Sequence, residues 1–198
     1  MCLFTFRSHG ICVKLVQNKC KMNHWSRNLI KSMQDPSSIV IKNDLVVVIR
    51  DKYPKARHHF LVLPYESIDD IYQLRKCHLP LLAELELMGK NAVEVIGGKL
   101  SDFKMGYHAQ PSMKRLHLHV ISDDFISPCI KSKHHWNTFT TDFFIPTCRI
   151  KTMLETMGRV QRLPESEIKA LLKRDLQCHK CSYKADNLPN LKNHLLIH

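Results

Sequence analysis

The sequence lacks a long hydrophobic run. A membrane-spanning helix needs about 18 consecutive apolar residues, whereas the longest candidate among these 198 residues is the short segment Leu45–Ile49. A secretory signal is also absent, because Arg7, His9 and Lys14 interrupt what would be its apolar centre. We therefore expect no membrane partner. Residues 1–23 hold basic but no acidic side chains, which predicts a disordered basic leader or, alternatively, a transit peptide.

Acidic residues are scarce. The chain has 18 Asp and Glu against 30 Lys and Arg, which gives a formal net charge of +12. This excess favours a polyanionic partner, with nucleic acid ahead of an anionic membrane surface and a merely solubilising charge as the alternative. Hydrophobic residues at 44% and charged residues at 24% are close to globular averages, which excludes a disordered or fibrous chain. The length suits one full domain with a small appendage.

Closely spaced cysteine pairs are absent, with one exception among the eight cysteines. Cys178 and Cys181 form a C-x-x-C pair, and His194 and His198 follow at the spacing of a ββα zinc finger. In such a finger two thiolates from a hairpin and two imidazoles one helical turn apart complete a tetrahedron. The pattern predicts a separate structural zinc unit over residues 178–198. It also favours a reducing compartment over a disulfide framework.

The predicted finger departs from the usual pattern at its small core. Ala185 holds the position that is usually aromatic, so Tyr183 or Leu188 must fill the space. A lone finger contacts about three base pairs, which is too few to define a genomic site. We therefore expect the finger to help grip DNA through its phosphates or a groove.

The rest of the chain alternates strand patterns with one long helical pattern. Turn residues separate these segments, and there is no regular strand–helix alternation. The predicted strands are a hairpin over Ile39–Arg50, then His59–Leu63, Phe103–His108 and Arg115–Ile121. The predicted helix begins after the cap-like segment Ser67–Asp70 and ends at Gly97. The fold class is therefore α+β with a mainly antiparallel sheet. We predict a main domain over 24–150, a helical connector over 151–177 and then the finger.

A second cluster of chemically competent residues lies on the last of these strands. With a period of two, Arg115, His117 and His119 share one strand face. Metal-binding barrels and cupin-like sandwiches also use such a pattern, but the chain is too short for the first and lacks the strand rhythm of the second. A plain polar sheet face stays open at this point.

Imidazole nucleophilicity is a further interpretation of the same residues. A neutral ring nitrogen can attack phosphorus if its other nitrogen is fixed and donors neutralise the phosphate oxygens. The candidate donors are Arg115, His119, His108 and Ser112. This chemistry requires no catalytic metal.

Several segments resemble the histidine-triad (HIT) superfamily. The long ones are Asp51–Pro64, Gly106–Met113 and Leu116–Ser122, and the shorter motifs are His24–Ser26, Ser32–Pro36, Ser127–Cys129 and His135–Asn137. The shorter motifs and the finger resemble one branch of this superfamily. That branch implies a HIT-type antiparallel sheet with flanking helices. It also implies a DNA 5′-adenylate hydrolase, a nuclear repair enzyme that removes AMP left on 5′-phosphates at breaks and nicks by abortive ligation.

The resemblance also implies roles for individual residues. His117 is the nucleophile that takes the adenylate, His119 and Ser112 orient the α-phosphate, and His108 assists the leaving phosphate. Asp51 matches the carboxylate that holds the ribose hydroxyls, and His59 matches the histidine that supports the triad strand.

Three further positions are expected at the DNA. Lys55 and Arg57 match basic residues beside the DNA-facing pocket, with plain surface charge as the alternative. Trp25 lies on a segment that forms a helical wedge in that branch and stacks on a terminal base pair, with a core role as the alternative.

Three departures from the family pattern stand out. Arg115 replaces the first histidine of the triad, and a guanidinium can donate to phosphate but cannot act as a neutral acceptor. His134 stands where a phosphate-contacting lysine is usual, so Lys133 would have to substitute. A forkhead-associated domain, present in some members, is missing, so recruitment through phosphorylated scaffolds is not expected.

Two other functions remain open at this point. The chain could be a HIT hydrolase of small adenylated nucleotides, or a DNA-binding protein whose pocket is vestigial because of Arg115. Guanylated ends and RNA–DNA junctions are further candidate substrates. Nuclear location rests on the expected substrate, and cytoplasmic or mitochondrial location stays an alternative.

Overall fold

The computed structural model describes residues 26–198, so the predicted leader and Trp25 lie outside the described residues. The sheet strands are β1 (Ile39–Lys42), β2 (Val46–Arg50), β3 (His59–Pro64), β4 (Phe103–His108), β5 (Leu118–Ser122) and β6 (Phe144–Pro146). The helices are α1 (Ser26–Gln34), α2 (Leu79–Val95), α3 (Lys133–Thr140), α4 (Thr147–Met157), α5 (Glu165–Lys173) and α6 (Leu188–Leu195). Within residues 26–198, none of the helices is long and apolar enough to span a bilayer.

The strands form one antiparallel sheet in the order β1-β2-β3-β5-β4-β6. The predicted α+β class is therefore confirmed. At the predicted hairpin, the Asn43 side chain accepts from the backbone N–H groups of Leu45 and Val46, each at 2.9 Å, which closes the turn between β1 and β2.

Both faces of the sheet are covered. On one face Val48, Phe60 and Val120 join a core beneath α2. On the other face Ile49 and Leu61 pack against α1. Because successive strand residues point to opposite faces, a strand buried on both sides reads as a nearly continuous apolar run.

The predicted strand over Arg115–Ile121 is wrong at its start, because β5 begins at Leu118. Arg115 has a φ of 99°, which a non-glycine residue adopts rarely. Its N–H donates to the Asp69 carbonyl at 3.0 Å, and the next N–H donates to Ile68 at 2.8 Å. These long-range hydrogen bonds hold the backbone out of the strand.

The cap-like segment before the long helix was also misassigned. The Asp70 side chain caps only a short 3₁₀ turn over Ile71–Gln73, and α2 begins at Leu79 with Pro80 in its first turn. Helix α3 was not predicted, because its sequence mixes polar and aromatic residues. It starts where the Ser132 hydroxyl accepts from the His135 N–H.

The C-terminal region packs directly on the sheet domain. Ile150 and Leu154 of α4 belong to the main core. The finger residues Leu176 and Leu191 share a second cluster with Trp136 and neighbouring aromatic residues. The finger is therefore docked on the main domain through a shared hydrophobic cluster.

Candidate active site

A cavity of about 760 Å³ opens on the face of the sheet that carries α1. Strand register places three imidazoles here, since His119 pairs with Leu61 on one side and Gly106 on the other. His59 lies two residues before Leu61 on β3, and His108 lies two residues after Gly106 on β4. The cavity wall includes His59, His108, His117, His119, Asp51, Lys55, Gln110, Ser112, Lys131, His134 and His135.

His117 lies just before β5 and is buried. Its Nδ1 lies 2.7 Å from the carbonyl oxygen of Arg115. A carbonyl can only accept, so Nδ1 carries the proton and the other ring nitrogen, Nε2, has a free lone pair. The left-handed backbone at Arg115 aims that carbonyl. The structure thus produces a neutral imidazole with one fixed tautomer.

A second set of contacts fixes the tautomers of His59 and His119. The backbone N–H of Lys55 donates to Nδ1 of His59 at 3.2 Å, so His59 carries its proton on Nε2. That Nε2 lies 2.9 Å from Nδ1 of His119. His119 must then accept at Nδ1 and carry its proton on Nε2, which is buried and has no hydrogen-bond partner among residues 26–198. The result is a donor available to a phosphate oxygen in the cavity.

Burial keeps these rings neutral. Desolvation lowers the pKa of His59 to about 4, although the negative charge of Asp51, whose Oδ2 lies 3.4 Å from Nδ1, opposes the shift. Desolvation also lowers the pKa of His117, although the hydrogen bond to the Arg115 carbonyl and the charge of Asp51 both raise it. For His108 and His119, desolvation and the neighbouring imidazoles hold the pKa well below its ordinary value.

Aromatic side chains form the wall behind the imidazoles. The Phe139 ring lies edge-on to His59, His108 and His119 at centroid distances of 5.4, 4.7 and 5.4 Å. The His108 and His119 centroids are 4.3 Å apart. Phe139 was not singled out from the sequence, because it lies on α3, which was not predicted.

Arg115 does not contribute its side chain to the cavity wall. Its Nη2 donates to the backbone carbonyls of Pro64, at 3.1 Å, and of Tyr65. The predicted shared face of Arg115, His117 and His119 is therefore not formed. The main-chain carbonyl of Arg115, rather than its guanidinium, serves the site.

The predicted basic residues separate into two groups. Lys55 and His134 line the cavity. Arg57 is outside the cavity lining. Its backbone N–H donates to Oδ1 of Asp124 at 3.1 Å. Lys133 pairs with Asp175 at 3.3 Å and is outside the cavity lining, and its contact with DNA stays a prediction. Lysine side chains that the sequence did not single out supply positive charge here, namely Lys31 on α1 and Lys131 before α3.

The zinc ligands converge as predicted. Sγ of Cys181 lies 3.2 Å from Nε2 of His194, Sγ of Cys178 lies 3.5 Å from Nε2 of His198, and the two imidazole nitrogens are 3.2 Å apart. Zinc bonds of about 2.3 Å to sulfur and 2.0–2.1 Å to nitrogen require nitrogen–nitrogen and nitrogen–sulfur distances of about 3.3–3.6 Å around a tetrahedral centre. The four side chains therefore fit a structural zinc ion.

The missing aromatic of the finger is replaced in two ways. Leu188 and Ala185 pack against the second hydrophobic cluster. The Tyr183 ring instead stacks on the ligand His194, with centroids 4.0 Å apart and planes 18° apart. The hairpin is short, with a single bridge between Gln177 and Lys184, and His198 lies just beyond the end of α6.

Two family models match the chain. Residues 24–135 match the family described as scavenger mRNA decapping enzyme C-terminal binding. Residues 140–198 match a C2HE/C2H2/C2HC zinc-binding finger. The second match agrees with the four converging ligands.

Curated relatives are similar to most of the chain. The chain is 50% identical over 177 residues to aprataxin of Danio rerio, which covers 88% of this chain and 54% of that protein. It is 48% identical over 174 residues to an aprataxin-like protein of Drosophila melanogaster, covering 88% of this chain and 26% of that protein. The chain thus spans between about a quarter and just over half of these relatives.

Solved structures agree with the fold. The crystal structure of the aprataxin ortholog of Schizosaccharomyces pombe has a TM-score of 0.66 and 26% identity, covering 85% of this chain and 88% of that one. The same ortholog in complex with DNA has a TM-score of 0.60 and 24% identity, and the match covers 86% of this chain and 91% of that one. The two family models and these relatives together show that the chain belongs to the aprataxin branch of the histidine-triad superfamily.

Proposed function

We propose that the chain removes AMP from adenylated DNA 5′ ends through a covalent histidine–AMP intermediate. The observation that carries this proposal is the contact from Nδ1 of His117 to the Arg115 carbonyl, which leaves Nε2 as a neutral nucleophile at a cavity with basic walls. The relatives named aprataxin and the DNA complex of the Schizosaccharomyces pombe ortholog support DNA as the substrate class.

The reaction has two steps on one phosphorus atom. The Nε2 lone pair of His117 attacks the α-phosphorus, and the bond from phosphorus to the bridging oxygen breaks, so that the DNA leaves with its 5′-phosphate. Water then attacks the same phosphorus and the nitrogen–phosphorus bond breaks, which releases AMP and restores the imidazole. In the intermediate the imidazole is positive, and the Arg115 carbonyl stabilises it through the Nδ1 proton.

The remaining cavity groups have complementary roles. The Nε2 proton of His119 and the Ser112 hydroxyl donate to the α-phosphate oxygens. His108 serves the leaving phosphate, and the ammonium groups of Lys55 and Lys131 offset the negative charge of the substrate. Arg115 acts through its main chain, since its guanidinium is committed to Pro64 and Tyr65.

Asp51 has a free position for the ribose. Its Oδ1 accepts from the Tyr53 N–H at 2.7 Å, which orients the carboxylate, and the side chain borders the cavity. A carboxylate offers about four acceptor positions, so it can also receive the ribose hydroxyls. Trp25 as a stacking wedge, Arg57 at the DNA and a nuclear location remain parts of this proposal.

The decisive experiment supplies a nicked duplex with a 5′-adenylate and follows AMP release. We expect turnover by the wild type and loss of turnover in His117→Ala. The matched control is His58→Ala, because His58 is exposed and lies outside the cavity lining. Wild-type turnover by His117→Ala would exclude this nucleophile.

The same preparation separates the other two functions. Tight binding of the nick without AMP release would indicate a DNA-binding protein with a vestigial pocket. The salt dependence of substrate binding distinguishes a hydrolase of small nucleotides from an enzyme that acts on DNA. Binding to DNA should weaken by about 0.9 logarithmic units per logarithmic unit of salt for each phosphate neutralised, and binding of a small nucleotide should change much less. Duplexes with a guanylated end or an RNA–DNA junction then define the range of ends accepted.

A further inference from the structure

The peptide unit between Pro54 and Lys55 contacts the active site and the main domain at once. Its N–H donates to Nδ1 of His59 at 3.2 Å. Its carbonyl accepts from the Ser127 hydroxyl at 2.5 Å. A trans peptide is planar and its N–H and C=O point in opposite directions, so the two contacts constrain one rigid group. Whatever orients the carbonyl also orients the N–H that fixes the His59 tautomer.

Ser127 is buried, and its hydroxyl both donates and accepts a hydrogen bond. The oxygen accepts from the Cys129 N–H at 3.0 Å and donates its only proton to the Pro54 carbonyl. It belongs to residues 123–127, which we call the bridging segment and which directly follow β5. A second contact links this segment to the same loop, because Asp124 accepts from the Arg57 N–H at 3.1 Å.

The zinc finger holds the bridging segment from the other side. Nζ of Lys192, on α6, donates to the Ser127 carbonyl at 3.0 Å. Nε2 of His179, between the two cysteine ligands, donates to the Asp123 carbonyl at 2.8 Å. The finger therefore contacts both ends of the segment whose hydroxyl orients the Pro54–Lys55 peptide.

We infer that Ser127 and Lys192 are positioning residues through which the zinc finger fixes the histidine tautomers of the active site. The chain of contacts runs from Lys192 to Ser127, to the Pro54–Lys55 peptide, to His59 and then to His119. The inference rests on the proposed function for its consequence, the rate of AMP release. It gives the finger a role in the chemical step that is separate from any grip on DNA.

The direct test is a spectrum of the imidazole nitrogens in the zinc-loaded protein labelled with ¹⁵N-histidine. We expect His59 and His119 of the wild type each to show a protonated Nε2 and an unprotonated Nδ1. Ser127→Ala should give a mixture of tautomers at both rings, and Ser127→Thr, which keeps the hydroxyl, should restore the wild-type pattern. A wild-type pattern in Ser127→Ala would overturn the inference even if the protein proves to have no DNA hydrolase activity.

The kinetic test separates positioning from DNA grip. The substrates are the adenylated nick and a nitrophenyl ester of adenosine 5′-phosphate, which is too small to reach the finger. For Ser127→Ala and Lys192→Met we expect kcat to fall on both substrates, by about tenfold or more, with KM for the nick changed less. Lys192→Arg should recover part of the rate. The matched control is Lys184→Met, since Lys184 is an exposed lysine of the same finger.

Each outcome decides one question. If Lys192→Met raises KM for the nick and leaves the small ester unaffected, the finger serves DNA binding and the inference fails. If the wild type turns over only the small ester, the proposed DNA substrate fails while the tautomer test still stands. Thermal unfolding of each variant, with its zinc content, shows whether a lost rate reflects lost folding.

Discussion

The cavity and the zinc finger both gather histidines, but the ring nitrogens are arranged for different chemistry. In the finger, Nε2 of His194 and Nε2 of His198 point at one centre together with two sulfur atoms. In the cavity, His59 and His119 face each other through Nε2 and Nδ1, and each nitrogen has a defined donor or acceptor role. Convergent lone pairs bind a metal, whereas a directional chain of hydrogen bonds fixes protons.

This comparison shows that the partners of an imidazole, more than its presence, define its task. The carboxylate Asp51 lies near His59 and His119, so these three also form a compact group of possible ligands. The hydrogen bond between the two rings uses one nitrogen of each ring, so that nitrogen is not available to a metal. In the finger the short contacts join the four ligand atoms around one centre, and the thiolates supply the negative charge that zinc requires.

The largest effect is expected from removing zinc. In Cys181→Ala we expect the amide protons of α6 to lose hydrogen-exchange protection while those of β2, β3 and β5 keep theirs. Apparent binding energies of structural zinc are about 10–16 kcal/mol in finger peptides, far above the stability of so small a unit. Cys148→Ala, at an exposed cysteine on α4, is the control. Retained protection of α6 without zinc would show that docking alone folds the finger.

The next largest effect is expected at the Nε2 donor of His119, which the hydrogen bond from His59 leaves available to the cavity. We expect His119→Phe to slow AMP release from an adenylated nick by about 10²–10³, which is roughly 3–4 kcal/mol of transition-state stabilisation. His119→Asn keeps an amide donor and should lose less. Measurement of kcat and KM checks this, since a larger effect on KM would assign His119 to ground-state binding.

The pH dependence of stability distinguishes the buried rings from the metal ligands. The folded pKa of His59, about 4, lies below its value in the unfolded chain, near 6.5. The unfolded state therefore binds more protons between these values, and stability is lost as the pH falls from about 6.5 towards 4. For His59 alone this is on the order of 3 kcal/mol of the free energy of unfolding. The pKa values of His108, His117 and His119 are lowered as well, mainly by desolvation.

Denaturant unfolding at several pH values, with zinc release followed separately, measures this effect. His108→Phe removes one buried imidazole, so its unfolding free energy should fall less steeply with decreasing pH. The pH at which zinc is released should not move. An unchanged slope in His108→Phe would contradict the assignment of proton uptake to the cavity.

The smallest effect is expected at the stacked ligand of the finger. Tyr183→Ala removes the ring that lies against His194 and should weaken zinc affinity by about fivefold, in line with about 1 kcal/mol for an aromatic pair. Tyr183→Phe keeps the ring and should bind zinc like the wild type. Competition with a chromogenic chelator measures both, and equal affinity in Tyr183→Ala would make the stacking incidental.

Local patterns explain which parts of the fold were predictable. The hairpin of β1 and β2 follows from two β-branched runs around Asn43, and the apolar stripe of α2 follows from its helical spacing. The errors occurred where long-range hydrogen bonds overrode a local pattern. Period-two alternation extended β5 back to Arg115, but the contacts of residues 115 and 116 with Asp69 and Ile68 turn the chain there.

The candidate site divides in the same way. The spacing of Cys178, Cys181 and the two finger histidines predicted the zinc site, because adjacent ligands on a turn and a helix need little information from the rest of the chain. The nucleophile was assigned through resemblance, and its geometry supports that assignment. The aromatic wall at Phe139 had no local signal, and the Ser127–Cys129 motif did not indicate the bridging contact, since each depends on contacts between distant segments.

The sequence by itself determined the fold class, the family resemblance and the four zinc ligands, since these depend on periodicity, motif order and short spacings. Only the tertiary structure decided which nitrogen of each buried histidine holds the proton. That choice depends on the Arg115 carbonyl and the Lys55 N–H, which reach the rings through a turn and a neighbouring loop. Main-chain groups are the same in every sequence, so their direction, and with it the tautomer, becomes fixed only when the chain is folded.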